Sequence, residues 1–371
     1  MASSSEPTHA YTPHRPVRAP FPQRGSRNAP SSAQAVFHTA RHTVSVRETE
    51  LAELKPGQLL VKARCSAISP GAESLVFRGG MPEGWGLDER LSGPAGEFRY
   101  PFKFGCALVG EVVEAGSSED RDWVGHRVFA YYPHQDYVAI DKRDCRRLPD
   151  DMPVERALFL ANLETALGLV QDAAPLAGER AMVFGQGVVG LLVTAILSQF
   201  PLSELITADP VPLRRERSRE LGSALAIDPS KGRELAVLEE CLFHGDHDGL
   251  DMAIEVSGHT EALNQAIALT GSDGRIVVGS WYGRNPGPVD LGGHFHRRRI
   301  RLVASEASML NPALSGRWSK ERRLRLAFEW LERLQPERLI THRFQLGDCQ
   351  QAFEMAGDKL TGALQVVFEY R

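Results

Sequence analysis

Short apolar runs separated by Gly and Pro dominate the first 150 residues of the chain. Turn pairs such as Pro56-Gly57 and Gly79-Gly80 punctuate these runs, and the pattern predicts a β-barrel of short strands. The predicted strands cover residues 35–37, 59–63, 108–113, 127–130 and 136–140.

The apolar pattern changes after residue 150, where 152–173 reads as helical. Predicted strands then cover 181–184, 205–208, 224–227, 252–256, 275–278, 300–303 and, at the end of the chain, 363–370. Predicted helices cover 188–198, 213–221, 261–269 and 319–334. Alternation of this kind indicates βαβ units and a parallel sheet, so the predicted fold class is α/β.

Residues 1–33 differ from the rest because they are rich in Pro, Ser and Arg, with Glu6 as their one acid. Such a segment buries too little apolar surface to offset the entropy of ordering, which predicts a disordered tail. The alternative is a targeting peptide, since the segment is rich in Arg and poor in acids. Its prolines disfavour the amphipathic helix that a mitochondrial signal needs.

Composition excludes several classes of function. The chain has 371 residues, 43 basic and 47 acidic, which suggests two to three domains and gives no electrostatic case for nucleic acid or an anionic membrane. Its apolar runs are too short to span a bilayer. The five cysteines include no CxxC pair, which argues against a zinc ribbon or a redox dithiol and favours a cytoplasmic location.

The segment 185–190, GQGVVG, follows a predicted strand and opens a predicted helix. In this context Gly185 permits a tight turn, Gly187 lets the backbone approach a pyrophosphate, and Gly190 permits close packing of helix on strand. Val188 and Val189 begin the helix, whose free N–H groups favour phosphate. The segment therefore predicts a dinucleotide site.

An acidic residue follows at the spacing that such a site requires. Asp209 ends the next predicted strand, where a carboxylate accepts hydrogen bonds from the adenosine ribose and repels a 2′-phosphate. NAD is therefore favoured over NADP. The alternatives are that Asp209 only caps a helix, or that Arg214 and Arg215 hold a 2′-phosphate; a helix starting near Leu213 would instead point both arginines into solvent.

With a barrel segment, a dinucleotide segment and a returning strand, residues 35–371 resemble the medium-chain dehydrogenases/reductases. The resemblance rests on residues 59–80, 104–116 and 184–209. It implies a chaperonin-10-like catalytic domain at 34–160 and 306–371 around a Rossmann domain at 161–305. Residues 66–73, 80–82, 293–300 and 339–343 are similar to the bacteriochlorophyllide a dehydrogenase-like branch of this family.

The resemblance also locates the positions that hold zinc in the family's alcohol dehydrogenases. They fall within 69–71, at Cys106 and near Ala161, so Cys106 is the one possible ligand. One thiolate cannot replace the three protein ligands of a catalytic zinc. The segment 81–100, where a structural zinc would lie, contains no cysteine. The chain is therefore predicted to contain no metal site.

Without zinc, side chains must stabilise charge on the substrate oxygen or transfer its proton. The predicted catalytic residues are Ser69 as a donor, Glu73 as a base, Asn162 as an amide donor and His294 as an acid or base. Each has a structural alternative, respectively a turn, a salt bridge, a helix cap and a surface loop. Weaker candidates with stronger structural alternatives are Cys106, His134, Tyr137, Glu164, His296 and Arg297 to Arg299.

The resemblance assigns further cofactor contacts. Thr165, Val278, Gly279 and Ser280 would lie beside the nicotinamide, and Val256 and Ser257 near the adenosine. Many relatives hold the pyrophosphate with an arginine near the C-terminus, but the corresponding residue here is Gln365.

Taken together, the sequence predicts a cytoplasmic, zinc-independent, NAD-preferring dehydrogenase acting on a small alcohol, ketone or conjugated carbonyl. A homodimer formed through the edge strand near 300–304 is implied by the family. The alternatives are an NADPH-dependent enoyl or quinone reductase, a hydroxyethyl-bacteriochlorophyllide dehydrogenase, and a nucleotide-binding protein without activity.

Overall fold

The structure is a computed structural model, and it describes residues 30–82, 84–86, 96–245, 248–284, 287–358 and 362–371. The predicted tail lies outside these residues except at its end. There, β1 already begins at Ser32, so the predicted tail is two residues too long. Ala33 is buried and opposite Thr49 of the next strand, which explains why these small residues are ordered.

The first part of the chain forms a separate two-stranded hairpin and most of a larger, largely antiparallel sheet. Its elements are β1 (Ser32–Ala40), β2 (Thr43–Glu50), β3 (Gln58–Ile68), α1 (Ala72–Phe77), β4 (Leu108–Ala115), β5 (Arg127–Ala130), β6 (Tyr137–Asp141) and β7 (Cys145–Arg147). β1 and β2 form a hairpin, β3 pairs with both β4 and β6, and β5 joins β4 to β7. The long strand β3 is therefore the centre of this sheet.

The second part is a parallel sheet with helices between its strands. Its elements are α2 (Val154–Ala157), α3 (Leu160–Ala173), β8 (Arg180–Phe184), α4 (Val188–Leu197), β9 (Glu204–Ala208), α5 (Pro212–Glu220), β10 (Leu225–Ile227), α6 (Gly232–Leu242), β11 (Leu250–Glu255), α7 (Thr260–Leu269), β12 (Thr270–Val278), α8 (His294–Arg297) and β13 (Arg301–Ala304). The strand order is β10-β9-β8-β11-β12-β13, with every pairing parallel. This doubly wound sheet confirms the predicted α/β class.

The last part of the chain returns to the first sheet. It comprises α9 (Lys320–Leu334), β14 (Ile340–Gln345), α10 (Cys349–Gly357) and β15 (Gln365–Glu369). β15 pairs antiparallel with the end of β3, placing Val366 opposite Ile68. The C-terminal strand therefore reaches the end of β3 from which α1 departs.

Seven of the elements named above were not among the predicted ones: β2, α1, β7, α6, α8, β14 and α10. β2 and β14 carry mostly exposed or half-buried polar residues, so neither shows a clear apolar run. α6 buries only Leu238 and Leu242. Their positions depend on pairing and packing partners far along the chain, which local patterns do not contain.

One continuous core joins the two sheets. Buried Phe129 of the first sheet, Leu163 of α3 and Val183 of the second sheet belong to the same packed cluster. α9 also packs along α3. The packing thus fixes the two sheets relative to one another. None of the helices described here is both long and apolar enough to cross a bilayer.

Candidate functional site

The predicted nucleotide residues meet at one edge of the parallel sheet. The chain moves outward from β8 to β9 and β10, then crosses to β11 on the other side of β8. A crevice opens where the winding direction reverses, beyond the carboxyl ends of β8 and β11, and ligands of this fold class bind there. Gly185, Asp209, Val256 and Gly279 each follow directly on such a strand end.

The glycine loop has the geometry of a phosphate cradle. Gly185 has φ +92° and donates its N–H to the Ala208 carbonyl at 2.8 Å, which makes the tight turn. A side chain on Gly190 would overlap the Gly185 carbonyl oxygen, whereas a Cβ on Gly187 would meet no atom within 4 Å. Gly187 therefore faces open space at the N-terminus of α4, where a pyrophosphate would approach.

Asp209 is buried, and backbone amides hold its carboxylate in place. One oxygen accepts the Gln186 N–H at 2.8 Å and the other accepts the Val211 N–H at 2.9 Å. These contacts tie the end of β9 to the glycine loop. Each carboxylate oxygen retains a lone pair with which to accept a ribose hydroxyl.

The expectation that Arg214 and Arg215 point into solvent is wrong. Arg214 lies 3.9 Å from the Asp209 carboxylate and donates to the Ala363 carbonyl at 3.1 Å. Arg215 donates to the Asp209 carbonyl at 2.7 Å and lies 3.5 Å from Asp228. Both side chains turn back because two buried acids beside the start of α5 attract them.

A buried carboxylate that the sequence did not point to closes the crevice at β11. Glu255 accepts the Ser257 N–H at 2.7 Å and the Tyr282 hydroxyl at 2.5 Å. Burial, followed by the Glu255 charge, raises the pKa of Tyr282 above its usual range. The phenol therefore stays protonated and holds the loop after β12 against the end of β11.

Two of the other predicted cofactor residues, Val256 and Gly279, lie at the same edge of the parallel sheet. Val256 donates its N–H to the Phe184 carbonyl, and Gly279 donates to the Glu255 carbonyl, each at 2.9 Å. Gly279 has no room for a side chain because Leu169 and Val256 lie against it. Val278 ends β12, and Thr165 bonds the Ala161 carbonyl of its own helix at 3.0 Å.

The first sheet contains a buried hydrogen-bonded chain, which we call the Glu73 chain: Glu73, His134, Ser66 and Tyr370. Glu73 Oε2 lies 2.7 Å from His134 Nε2, and Ser66 Oγ lies 2.8 Å from both His134 Nδ1 and the Tyr370 hydroxyl. Glu73, His134 and Ser66 are fully buried. The chain joins α1, the segment before β6, β3 and the segment after β15.

The Glu73 chain alters the role expected of its first member. The remaining oxygen of Glu73, Oε1, accepts the Ser69 N–H at 2.9 Å, so both carboxylate oxygens are engaged and none faces solvent. As placed, Glu73 orients the turn at Ser69 and does not contact a substrate. His134, a weaker candidate in the sequence, lies just before β6.

Ser69 and Asn162 lie near one another across the first sheet and α3. Asn162 Nδ2 lies 3.5 Å from Gln365 Oε1, and Gln365 donates to the Ile68 carbonyl at 2.7 Å. Ile68 directly precedes Ser69, which is partly exposed. Gln365 is itself buried and held by the backbone.

The residues at the family's zinc positions do not fit zinc. Cys106 is the single thiol at these positions, and burial, with the nearby Glu73 charge, raises its pKa to about 12. One such ligand cannot replace the three protein ligands of a catalytic zinc. Ser69 and Ala161 offer no imidazole, thiolate or carboxylate beside it. Within the described ranges, no group of three or more His, Cys, Asp and Glu side chains could hold a metal ion.

The structure does not bring His294 to the site. It lies on α8, which leads into the amino end of β13, and neighbouring Arg298 pairs with Asp248 at 2.6 Å just before β11. The strands are parallel, so this is the sheet edge opposite Gly185 and Asp209. His294 is exposed, and its ring lies 6.4 Å from that of Phe243. His294 is therefore too far from the candidate site to act there as an acid or base.

A second polar cluster links α3 to the loop before α9. Tyr131 donates a hydrogen bond to Glu164, and the buried Arg323 lies 4.0 Å from the same carboxylate. Burial raises the pKa of Glu164, against the opposing charges of Arg323 and Lys320. Arg323 also donates to the Met309 carbonyl at 2.9 Å, which holds the loop after β13 in place.

His38 is a buried histidine that should make the stability of the protein depend on pH. It is fully buried beside His134, and neither ring nitrogen has a hydrogen-bond partner within the described residues. Burial, and secondarily His134, lowers its pKa from 6.5 to about 3. Between pH 6.5 and 3, His38 binds a proton in the unfolded chain but stays neutral in the folded protein. Stability is therefore lost as the pH falls from about 6.5 towards 3, by up to about 1.4 kcal/mol per pH unit.

We expect His38→Phe to flatten this part of the pH profile, because Phe can stack on Phe102 without titrating. Urea unfolding of both proteins at pH 7, 6, 5 and 4 measures the difference. Parallel pH profiles for the variant and the wild type would contradict this account.

Comparison with known proteins agrees with this architecture. A sequence family described as zinc-binding dehydrogenase matches residues 188–320. The (R,R)-butanediol dehydrogenase of Bacillus subtilis is 29% identical over 262 residues, covering 63% of this chain and 73% of that enzyme.

Two solved structures share the fold. A protein from Sinorhizobium meliloti, solved bound to NADP, has a TM-score of 0.72 at 19% identity, covering 92% of this chain and 100% of its own. A protein from Escherichia coli CFT073 named as a short chain alcohol dehydrogenase, complexed with NADH, has a TM-score of 0.72 at 18% identity, with coverages of 92% and 100%.

The chain is thus an oxidoreductase of the alcohol dehydrogenase-like type. In sequence and fold it is similar to the medium-chain dehydrogenases/reductases, which confirms the resemblance drawn from its glycine loop and barrel segments.

Proposed function

We propose that this protein is a zinc-independent oxidoreductase that transfers a hydride between NAD(H) and an alcohol, ketone or conjugated carbonyl. The observation that carries the proposal is the glycine cradle. Gly187 faces open space at the start of a buried helix, and the Asp209 carboxylate lies beside the same loop. That arrangement suits a pyrophosphate with an adjoining ribose.

In the proposed complex, Gly187 and the first N–H groups of α4 would hold the pyrophosphate, and Asp209 would accept the ribose hydroxyls. Thr165, Val278 and Gly279 would flank the nicotinamide. The bound nicotinamide supplies or accepts the hydride. The protein's task is to hold the substrate carbon beside it and to stabilise the substrate oxygen.

Few side chains near the site could stabilise the substrate oxygen. Ser69 is partly exposed, and its N–H is fixed by Glu73, so its hydroxyl is held at the position of a family zinc ligand. Asn162 lies on the other side, near Gln365. We propose Ser69 and Asn162 as hydrogen-bond donors to the substrate oxygen, with Glu73 as a positioning residue. A conjugated carbonyl, whose developing charge is delocalised, would need the least help.

NADPH is the alternative cofactor, and one observation favours it. Arg214 and Arg215 lie against Asp209 and do not face solvent, and Arg214 Nε has no hydrogen-bond partner in the described structure. These cations could meet a 2′-phosphate. We favour NAD because the buried Asp209 carboxylate faces the same place and would repel that group. A bacteriochlorophyllide-type substrate and a protein without activity are further outcomes that an assay would separate.

We also propose that the protein works in the cytoplasm as a homodimer. β13 is the edge strand of the parallel sheet, and Leu302 on it is 37% exposed. An unpaired edge with an exposed apolar residue is suited to pairing with a second copy.

The claim of zinc independence is tested by metal analysis and activity together. We expect purified protein to contain far less than one zinc per chain. We also expect NADH oxidation with a carbonyl panel to be unchanged after dialysis against a chelator. Stoichiometric zinc, with activity lost on its removal and restored on its return, would contradict the proposal.

A further inference from the structure

A row of aromatic side chains crosses from one sheet to the other beside the candidate site. The Phe104 ring lies 5.6 Å from the Phe98 ring, and the Phe98 ring lies 6.4 Å from the Trp281 ring. We call these three residues the aromatic wall. Phe104 and Phe98 are buried, whereas Trp281 is 42% exposed.

The two ends of the wall mark the place where a substrate must lie. Phe104 is two residues before Cys106, at the family's zinc position in the first sheet. Trp281 follows Ser280 on the loop after β12, which would flank the nicotinamide. The wall therefore runs from the proposed cofactor to the position where the family polarises the substrate oxygen.

Close backbone contact holds the wall in place across the boundary between the sheets. Arg284 donates its N–H to the Gly80 carbonyl at 2.7 Å. Gly283 has φ +60°, and any side chain there would overlap the same Gly80 carbonyl. Tyr282, which bonds Glu255 at 2.5 Å, anchors the loop on its other side. The backbone that carries Trp281 is thus held in place, which reduces the entropy that the loop loses on binding.

We propose that the substrate carries a planar aromatic or extended conjugated ring system attached to its carbonyl, and that this ring stacks on Trp281. The inference rests on the proposed function. An exposed indole face attracts a flat π-system by stacking in addition to the area that it buries. A small aliphatic diol or hydroxy acid gains nothing from that face.

Three features together favour a conjugated ring as the group that stacks on Trp281. The exposed ring is continuous with a buried aromatic row, it adjoins the cofactor loop, and the groups proposed to polarise the oxygen are weak uncharged donors. Weak donors suit a carbonyl whose charge spreads into a conjugated ring. Trp85, 57% exposed, is joined to this region because the Phe98 N–H donates to its carbonyl at 2.9 Å.

The test compares two enones that differ in one group: 4-phenylbut-3-en-2-one and pent-3-en-2-one. Calorimetric titration of each into the wild-type protein saturated with NAD⁺, which cannot reduce an enone, gives the binding constants, and NADH oxidation gives kcat/KM. We expect the phenyl compound to bind at least about tenfold tighter, equal to about 1.4 kcal/mol. Trp281→Ala should remove most of that difference and leave the methyl compound unchanged, while Trp281→Phe should retain it.

Trp123→Ala is the matched control. Trp123 stacks under Arg147 and ends a short helix that packs on the far end of β4, so its loss should leave both enones unaffected. Equal binding of the two enones, or an equal loss for both in Trp281→Ala, overturns the inference. So does a change of oligomeric state in Trp281→Ala without a change in binding, since the face would then be an interface. Absence of NADH binding overturns the proposed function itself.

Discussion

Gly187→Ala should weaken NADH binding roughly 100-fold, or by about 2.8 kcal/mol, while leaving the fold intact. The backbone at Gly187 has φ −70°, which any residue adopts, and the added methyl group meets no protein atom within 4 Å. That empty space is where the pyrophosphate must approach the backbone, so the methyl group would take the place of the ligand. Fluorescence titration measures the change in Kd, and urea unfolding measures stability.

Two other substitutions serve as controls. Gly347→Ala places a methyl group in equally open space between β14 and α10, outside the parallel sheet, and should leave NADH affinity unchanged. Gly190→Ala would overlap the Gly185 carbonyl and should lower stability together with binding. Unchanged NADH affinity in Gly187→Ala would show that no cofactor lies in this cradle.

His134→Leu should lower the free energy of unfolding by about 3–5 kcal/mol, because it leaves the buried Glu73 carboxylate without its charged or hydrogen-bonding partner. The 2.7 Å contact between Glu73 and His134 is fully buried on both sides. Replacing both residues removes the unpaired charge. Glu73→Leu/His134→Leu should therefore cost less than the sum of the single changes, by about 1–3 kcal/mol.

The exposed pair Arg64–Glu111, also 2.7 Å apart, is the matched control for this cycle. Glu111→Gln should cost less than about 1 kcal/mol, because water replaces the lost interaction at the surface. Strict additivity of the Glu73 and His134 changes in urea unfolding would refute the coupling. It would also remove the reason for treating Glu73 as the group that positions Ser69.

The nucleotide cradle was predictable because its signals are local. The strand that ends at Phe184, the segment 185–190 with its three glycines and the helix that begins at Val188 are contiguous in sequence. Asp209 directly follows the next strand. The Rossmann fold brings such neighbours together by short connections. The conformation of Gly185 and the open face of Gly187 then follow from residue type and position.

The Glu73 chain was not predictable in the same way. Ser66 and Tyr370 are 304 residues apart, and they meet only because β15 returns to pair with β3. The catalytic role predicted for His294 depends on long-range structure in the same way. Its residue type suits acid–base chemistry, but only the parallel register of β13 shows that it lies at the opposite edge of the sheet.

Titration of metal-analysed wild-type protein with NADH and, in parallel, NADPH tests the central claim most directly. The glycine cradle and Asp209 predict saturable binding of NADH in protein that contains no zinc, tighter than binding of NADPH. Tighter binding of NADPH would contradict the role given to Asp209 and favour Arg214 and Arg215 as its partners. Binding of neither would contradict the claim that this fold works on a nicotinamide cofactor.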